Sequence, residues 1–83
     1  MLKVVYSRRA LRSLRAMPAN RREQIRAKIR QLAANPADLA NNITALRGGD
    51  GQQRLRIGDY RVIFEIDGGT LMVLAMGPRG GVY

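Results

Sequence analysis

The stretch QRLRIGDYRVIFEI, residues 53–66, decides the fold of this chain. Two runs of alternating side chains flank Gly58 and Asp59, and a two-residue loop that opens with glycine is a common tight connection of a β-hairpin. The glycine supplies the positive φ that such a turn requires. This turn predicts the cross-strand pairs Ile57–Tyr60, Arg56–Arg61 and Leu55–Val62.

Because successive side chains of a strand point to opposite faces of a sheet, the hairpin has one apolar and one basic face. The apolar face comprises Leu55, Ile57, Tyr60, Val62, Phe64 and Ile66. The basic face carries Arg54, Arg56 and Arg61. Like charges that lie opposite each other destabilise a sheet, and no matching set of carboxylates accompanies these arginines. The cluster is therefore a candidate anion site, with a solvated strand face as the alternative.

The composition excludes several kinds of active site. The 83 residues fit a single domain, residues 1–83, and contain neither cysteine nor histidine. Disulfides, cysteine-ligated zinc or iron–sulfur sites, and Ser-His-Asp or Cys-His catalysis are therefore excluded. The acidic residues are few and scattered, so we expect no metal site and no cofactor.

The formal net charge of +9 is large for so short a chain, and thirteen of the fifteen basic residues are arginine. Such a charge predicts a polyanionic partner or an acidic protein partner. Arginine also suits bidentate phosphate contacts better than lysine does. No apolar stretch approaches the length of a membrane span, and the first residues lack the apolar run of a signal peptide. We therefore expect a cytoplasmic protein without a membrane partner.

The first part of the chain predicts a strand followed by a helical hairpin. Leu2–Tyr6 is a short apolar run typical of a strand, and Ser7 is a candidate N-cap of the first helix. Apolar residues then recur at helical spacing, at Ala10, Leu11, Leu14 and Met17. Pro18 ends that pattern, and a second helix is predicted from about Ala19 to Ala34, before Asn35-Pro36. Its apolar stripe comprises Ile25, Ile29, Leu32 and Ala33.

Arginines fill the outer faces of both predicted helices. Up to Arg30 the chain carries ten basic residues and a single acid, Glu23. This one-sided charge favours contact with a polyanion, although two ordinary solvated helix faces are the alternative. The candidate phosphate- or RNA-binding residues on these helices are Arg8, Arg12, Arg15, Arg22 and Arg26.

The second half of the chain changes to strands and turns, since all nine glycines lie at or after Gly48. Ala37–Arg47 is polar and predicted to be irregular. Thr70–Met76 is predicted to be a third strand of the meander, and Gly77 and Pro78 are expected to end it. A loop at Asp67-Gly68 or at Gly68-Gly69 would place Leu71 and Val73 on the core face. A three-residue loop would place Met72 and Leu74 there.

The order β-α-α-β-β-β predicts an α+β fold. In this fold the N-terminal strand and an antiparallel helical hairpin pack on one face of a mainly antiparallel sheet. The opposite face, which carries the arginines of the hairpin, is expected to be open.

Several segments, in this order and spacing, resemble the RelE/ParE superfamily of toxins from toxin–antitoxin pairs. They are YSRRALRSLRAMP, the helix ending in LAANP, LRGG at Leu46–Gly49, RLRIGDYRVIFEI and the closing GPRGGVY. The resemblance covers nearly the whole chain and implies a RelE-like fold. It also implies a cognate antitoxin as partner.

The superfamily divides by activity. RelE-like members cleave mRNA in the ribosomal A site, where the ribose 2′-hydroxyl attacks the adjacent phosphate, whereas ParE-like members poison DNA gyrase without being nucleases. The closing Val-Tyr favours the RelE-like activity, with mRNA and the ribosome as partners. A ParE-like gyrase inhibitor is the first alternative, and a basic nucleic-acid-binding module without toxicity is the second.

The resemblance also implies roles for individual residues. Arg61 matches an arginine that stabilises the charge developing on the phosphate, while Arg54 and Gln52 occupy positions where RelE has lysines. Arg79 and Tyr83 resemble the terminal arginine and tyrosine of the family, although the spacing between them is shorter here. The implied catalytic residues are thus Arg54, Arg61, Arg79 and Tyr83, with Arg56 and Gln52 as phosphate contacts.

Overall fold

Two helices and a five-stranded sheet form the two layers of the computed structural model, which describes residues 1–46 and 51–78. The elements are β1 (Lys3–Tyr6), α1 (Arg8–Arg15), α2 (Ala19–Ala34), a 3₁₀ helix (Pro36–Asn42), β2 (Ile43–Ala45), β3 (Gln53–Ile57), β4 (Tyr60–Asp67) and β5 (Thr70–Pro78). The strand order in the sheet is β1-β5-β4-β3-β2. β1 is parallel to β5, and the other neighbours are antiparallel. The predicted α+β architecture is confirmed.

The β3–β4 hairpin has the predicted register. Gly58 has a φ of +58°, and Arg56 pairs with Arg61 as expected from the two-residue turn. On the apolar face, the side chains of Leu55, Val62 and Phe64 are at most 1% exposed. These side chains join the residues of both helices in the main core.

The hairpin faces differ from expectation in their details. Ile66 lies on the apolar face as predicted, opposite the buried Leu71, but it is 37% exposed because it lies near the end of β4, beside the turn into β5. The arginine-bearing face is also not open throughout, since Ile63 and Ala75 are buried on it. Leu46 and Leu74 pack against this pair, so a small second apolar cluster covers part of that face.

The β4–β5 connection is the Gly68-Gly69 loop, one of the three alternatives, and Gly68 has a φ of +60°. Leu71 and Val73 consequently lie in the core, both fully buried. β5 continues to Pro78, so the expectation that Gly77 and Pro78 end it was wrong. Proline is tolerated there because it is the last residue of the strand and lies beyond the segment that pairs with β1.

A β-bulge in β5 adjusts which side chains enter the core. Phe64 pairs with Val73, whereas the preceding Ile63 pairs with Ala75, which leaves Leu74 as the additional residue. The bulge shifts the alternation by one position, as bulges do. Met76 therefore joins the main core, while Ala75 lies on the opposite face with Ile63.

Ser7 connects α1 to this bulge. Its Oγ accepts a hydrogen bond from the Ala10 backbone N–H at 3.0 Å, which confirms the predicted N-cap. The same hydroxyl donates to the carbonyl oxygen of Leu74 at 2.6 Å, and the Ser7 N–H donates to the carbonyl oxygen of Val73 at 2.9 Å. One serine thus begins the helix and satisfies the carbonyl of the bulge residue.

α2 has the predicted bounds, and its predicted stripe is buried. Ile25 and Ile29 are fully buried, and Leu32 and Ala33 are at most 3% exposed. Within the described ranges, neither helix combines the length and apolarity that a membrane crossing requires.

The segment predicted to be irregular, Ala37–Arg47, instead contains most of the 3₁₀ helix and all of β2. Leu39 of the 3₁₀ helix is 6% exposed and anchors it to the main core. β2 pairs with β3, and Thr44 lies opposite Arg54. A strand of three residues is too short for a periodic pattern, and its pairing partner lies outside the segment, so the local sequence did not reveal it.

We expect Ser7→Ala to lower the free energy of unfolding by roughly 1–2 kcal/mol, because it removes the helix cap and leaves the bulge carbonyl without its donor. Urea denaturation followed by circular dichroism measures this change. Ser13→Ala on the same helix is the matched control and should leave the midpoint nearly unchanged, since alanine is favourable in helices. Equal midpoints for both variants would contradict the double role of Ser7.

Candidate phosphate-binding site

A polar pocket of about 250 Å³ lies on the basic face of the sheet. The described residues that line it are Asn41, Asn42, Thr44, Arg54, Arg56 and Arg61. All three hairpin arginines predicted to form an anion site therefore contribute to one concave surface. None of these lining residues is acidic.

Three adjacent strands place four of the six described side chains that line the pocket. β3 contributes Arg54 and Arg56 at alternate positions, and β4 contributes Arg61 directly opposite Arg56. β2 adds Thr44 opposite Arg54, so that its side chain lies on the same face. The positions of these side chains thus follow from strand pairing alone.

Hydrogen bonds to the hairpin turn hold the Arg61 guanidinium. Its Nη1 donates to the carbonyl oxygens of Gly58 and Tyr60, each at 3.0 Å. Both bonds use a single nitrogen, so Nη2 and Nε are not consumed by them. A guanidinium held in this way is preorganised to meet a negative charge rather than free to sample many rotamers.

The chemistry of this pocket suits an anion with several oxygens. Three guanidiniums concentrate positive charge, and arginine's planar donor fork matches phosphate oxygens. The amide and hydroxyl groups of Asn41, Asn42 and Thr44 add neutral donors and acceptors. No group of three or more carboxylates that could hold a metal ion occurs in the part of the chain that the structure describes.

The tyrosine beside Arg61 belongs to the other side of the sheet. Tyr60 packs against the main core, and the Cζ atom of Arg21 lies 5.0 Å from its ring centroid. This contact attaches the turn of the hairpin to α2 through a cation–π interaction. Tyr60 therefore supports the position of Arg61 without lining the pocket.

The helix arginines form separate surfaces. Arg8, Arg12 and Arg15 surround a groove of about 440 Å³ together with Leu11. They lie on α1, whose buried residues pack on the apolar face of the sheet. The structure therefore does not bring these arginines into the pocket on the basic face. They remain a candidate surface for longer polyanions.

Arg22 supports the fold. Its Nε donates to the carbonyl oxygen of Leu14 at 3.2 Å, and its Nη2 donates to that of Met17 at 3.0 Å. These carbonyls lie in the last turn of α1 and just beyond it, and that of Leu14 also accepts a hydrogen bond from the Met17 N–H at 3.2 Å. Arg22 was predicted to bind phosphate or RNA, but its observed contacts join α1 to α2.

Arg26 lies near a partly buried tyrosine. Burial raises the pKa of the Tyr6 phenol above its usual value, and the positive charges of Arg26 and Arg30 oppose this rise. Tyr6 packs against the main core. Arg26 itself is exposed and remains available at the surface.

Three further residues were predicted to belong to the site: Gln52, Arg79 and Tyr83. Gln52 precedes β3 and is partly buried, and its carbonyl oxygen accepts a hydrogen bond from the Leu46 N–H at 3.1 Å. It is not among the residues that line the pocket. Arg79 and Tyr83 lie outside the described residues.

The sequence reasoning missed Asn41, Asn42 and Thr44. All three lie in the segment predicted to be irregular, and they enter the pocket only because β2 pairs with the edge of β3. The one available signal was the pair Ile43-Thr44, since β-branched residues favour strands.

Comparisons with known proteins place this chain in a family. Residues 4–83 match the family described as the ParE toxin of type II toxin–antitoxin system, parDE. The chain belongs to this toxin family. The toxin is 25% identical to Toxin RelE3 of Methanocaldococcus jannaschii over 84 residues, which cover 99% of this chain and 96% of that protein.

Solved structures show that the toxin has a RelE-like fold. The archaeal RelE–RelB complex from Pyrococcus horikoshii matches with a TM-score of 0.79 at 22% identity, covering 96% of this chain and 97% of that chain. The intact E. coli RelBE toxin–antitoxin complex matches with a TM-score of 0.76 at 23% identity, covering 94% of this chain and 96% of that chain. The predicted membership of the RelE/ParE superfamily and the RelE-like fold are thus confirmed.

We expect Arg22→Ala to lower the free energy of unfolding by roughly 1–3 kcal/mol, the usual cost of losing hydrogen bonds from a charged group. Arg12→Ala removes the same charge from an exposed position of α1 and should change stability little. Urea denaturation of the two variants measures the difference. Coinciding denaturation midpoints would contradict the structural role of Arg22.

Proposed function

We propose that this toxin is a ribosome-dependent mRNA endonuclease that inhibits translation. The observation that carries the proposal is the single pocket in which Arg54, Arg56 and Arg61 converge, with no acidic residue among the described residues that line it. During cleavage the ribose 2′-oxygen attacks the adjacent phosphorus, and the bond to the 5′-oxygen of the next nucleotide breaks. The products are a 2′,3′-cyclic phosphate and a 5′-hydroxyl, and the reaction builds negative charge on the phosphate oxygens.

In this proposal Arg61 is the principal electrostatic catalyst, because the turn carbonyls already hold its guanidinium in place. A preorganised donor stabilises developing charge without reorganising during the reaction. Arg54 and Arg56 bind the phosphate beside it. Since arginine stays protonated in proteins, Arg54 supplies charge and does not act as a general base.

The closing segment is proposed to complete the site. Tyr83 is the candidate for orienting a substrate base and for proton transfer between the 2′-hydroxyl and the leaving oxygen. Arg79 is the candidate for an additional phosphate contact. With no histidine in the chain, acid–base catalysis is weak, which suits an enzyme whose substrate is positioned by the ribosome.

The proposed protein partner is a cognate antitoxin. The archaeal and E. coli structures with the same fold are toxin–antitoxin complexes. A net charge of +9 favours an acidic antitoxin segment through electrostatic complementarity. Because the proposed target is the ribosome, we place the action of the toxin in the cytoplasm.

A gyrase inhibitor is the second candidate function, since the matching family is described by its ParE toxin. Mapping RNA cleavage after induction of the toxin, together with a gyrase supercoiling assay, separates the two. Cleavage of ribosome-bound mRNA supports the nuclease proposal. Inhibited supercoiling without RNA cleavage supports the gyrase alternative and overturns our proposal.

We expect Arg61→Ala to reduce cleavage of ribosome-bound mRNA on the order of a hundredfold or more, the scale for removal of one preorganised donor. Arg61→Lys keeps the charge but loses the planar fork, and should recover only part of the activity. Lys28→Ala is the control for loss of one positive charge, because Lys28 is exposed on α2. Wild-type cleavage by a folded Arg61→Ala protein would remove Arg61 from the chemistry.

We expect Tyr83→Ala to reduce cleavage about ten- to a hundredfold, because stacking of a base on an aromatic ring contributes roughly 1–3 kcal/mol. Tyr83→Phe separates two roles: retained activity indicates stacking, and lost activity indicates proton transfer by the hydroxyl. Melting temperatures serve as the control. If Tyr83→Ala lowers cleavage only in proportion to a loss of folded protein, Tyr83 anchors the chain and does not contact substrate.

A further inference from the structure

The pocket on the basic face has two chemically different halves. β3 and β4 contribute the three guanidiniums, whereas the 3₁₀ helix and β2 contribute Asn41, Asn42 and Thr44. The second half is neutral. All three of these residues line the pocket, and their side chains make no hydrogen bond to another residue in the described part of the chain.

A phosphate alone does not explain the neutral half. Phosphate oxygens at neutral pH act mainly as acceptors, and the arginine half supplies donors for them. The amides of Asn41 and Asn42 and the hydroxyl of Thr44 each offer an acceptor as well as a donor. Such groups match a ligand that also has a donor next to its phosphate. A ribose 2′-hydroxyl is such a group, because it both donates and accepts.

The size of the pocket also favours a phosphate with its adjoining sugar as the ligand. At about 250 Å³ it lies below the range of roughly 300–1,000 Å³ that is typical of sites enclosing drug-sized ligands. This space suits a phosphate with its adjoining sugar better than a complete nucleotide with an enclosed base. The pocket is also open to solvent, because Asn41 and Thr44 are both exposed.

We propose that the neutral half of the pocket, formed by Asn42 and Thr44 with Asn41 at its rim, recognises the ribose 2′-hydroxyl next to the bound phosphate. This inference rests on the proposed function, and it assigns these residues as positioning and specificity residues. Strand pairing places Thr44 directly opposite Arg54, so Thr44 lies beside the arginine half of the pocket. The pocket thereby distinguishes RNA from DNA at the sugar rather than at the base.

The test compares how tightly the toxin binds adenosine 3′,5′-bisphosphate and 2′-deoxyadenosine 3′,5′-bisphosphate. Both affinities are measured by NMR titration of the ¹⁵N-labelled toxin without ribosomes. These probes differ in a single hydroxyl, and neither carries the 5′-linked nucleoside that leaves during cleavage. We expect the ribonucleotide to bind about three- to tenfold more tightly, the effect of one or two hydrogen bonds.

The variants separate the two halves of the pocket. Thr44→Val and Asn42→Ala should each reduce the ribose preference, and together they should abolish it while leaving the affinity for the deoxynucleotide nearly unchanged. Thr44→Ser restores a hydroxyl and should recover the preference. Arg56→Ala should instead weaken binding of both probes to the same extent. Gln24→Ala on the exposed side of α2 is the control for substitution itself.

Equal binding of both probes by the wild-type toxin, or no binding of either, overturns the inference. A preference that survives the double substitution in a folded protein also overturns it. A parallel cleavage assay on ribosomes distinguishes failure of this inference from failure of the proposed function. Cleavage without a ribose preference leaves the nuclease proposal standing, whereas a ribose preference without cleavage leaves only the inference standing.

Discussion

The positive φ of Gly58 is the constraint on which both the core and the candidate site depend. It closes the β3–β4 hairpin in two residues and so pairs Arg56 with Arg61 and Leu55 with Val62. Because the side-chain period of a strand is two, a shift of one residue would turn the apolar set to solvent and the arginines to the core. The register that buries the apolar face is therefore the same register that assembles the three guanidiniums.

The hairpin tolerates repulsion between its arginines because burial of its apolar face contributes more to stability than the repulsion costs. Like charges opposite each other in a sheet cost roughly 0.2–1 kcal/mol, whereas full burial of one large apolar side chain contributes about 1.5–3 kcal/mol. Leu55, Val62 and Phe64 are all essentially buried on that face. Hydrogen bonds from Arg61 to the turn carbonyls offset part of the remaining cost. Removing the apolar contacts would destabilise the fold far more than the charges do.

The fold and the chemistry are carried by different residues. The Pyrococcus horikoshii RelE shares the fold at a TM-score of 0.79 with only 22% identity. A shared fold does not by itself determine activity. In this toxin the basic face of the sheet carries the candidate site, and the core on the opposite face positions it.

The sequence by itself determined the hairpin register, the cap at Ser7, the bounds of α2 and the clustering of Arg54, Arg56 and Arg61, because each follows from local spacing or turn chemistry. Only the tertiary structure decided that β2 exists and that Asn42 and Thr44 join the arginines, since a three-residue strand forms through a partner outside its own segment. It also decided that Leu74 is a bulge, that Met76 enters the core, and that Arg22 joins the end of α1 to α2. These features depend on contacts between residues distant in the chain or on opposite sides of a helix junction. Such contacts leave no periodic pattern in the sequence around each residue.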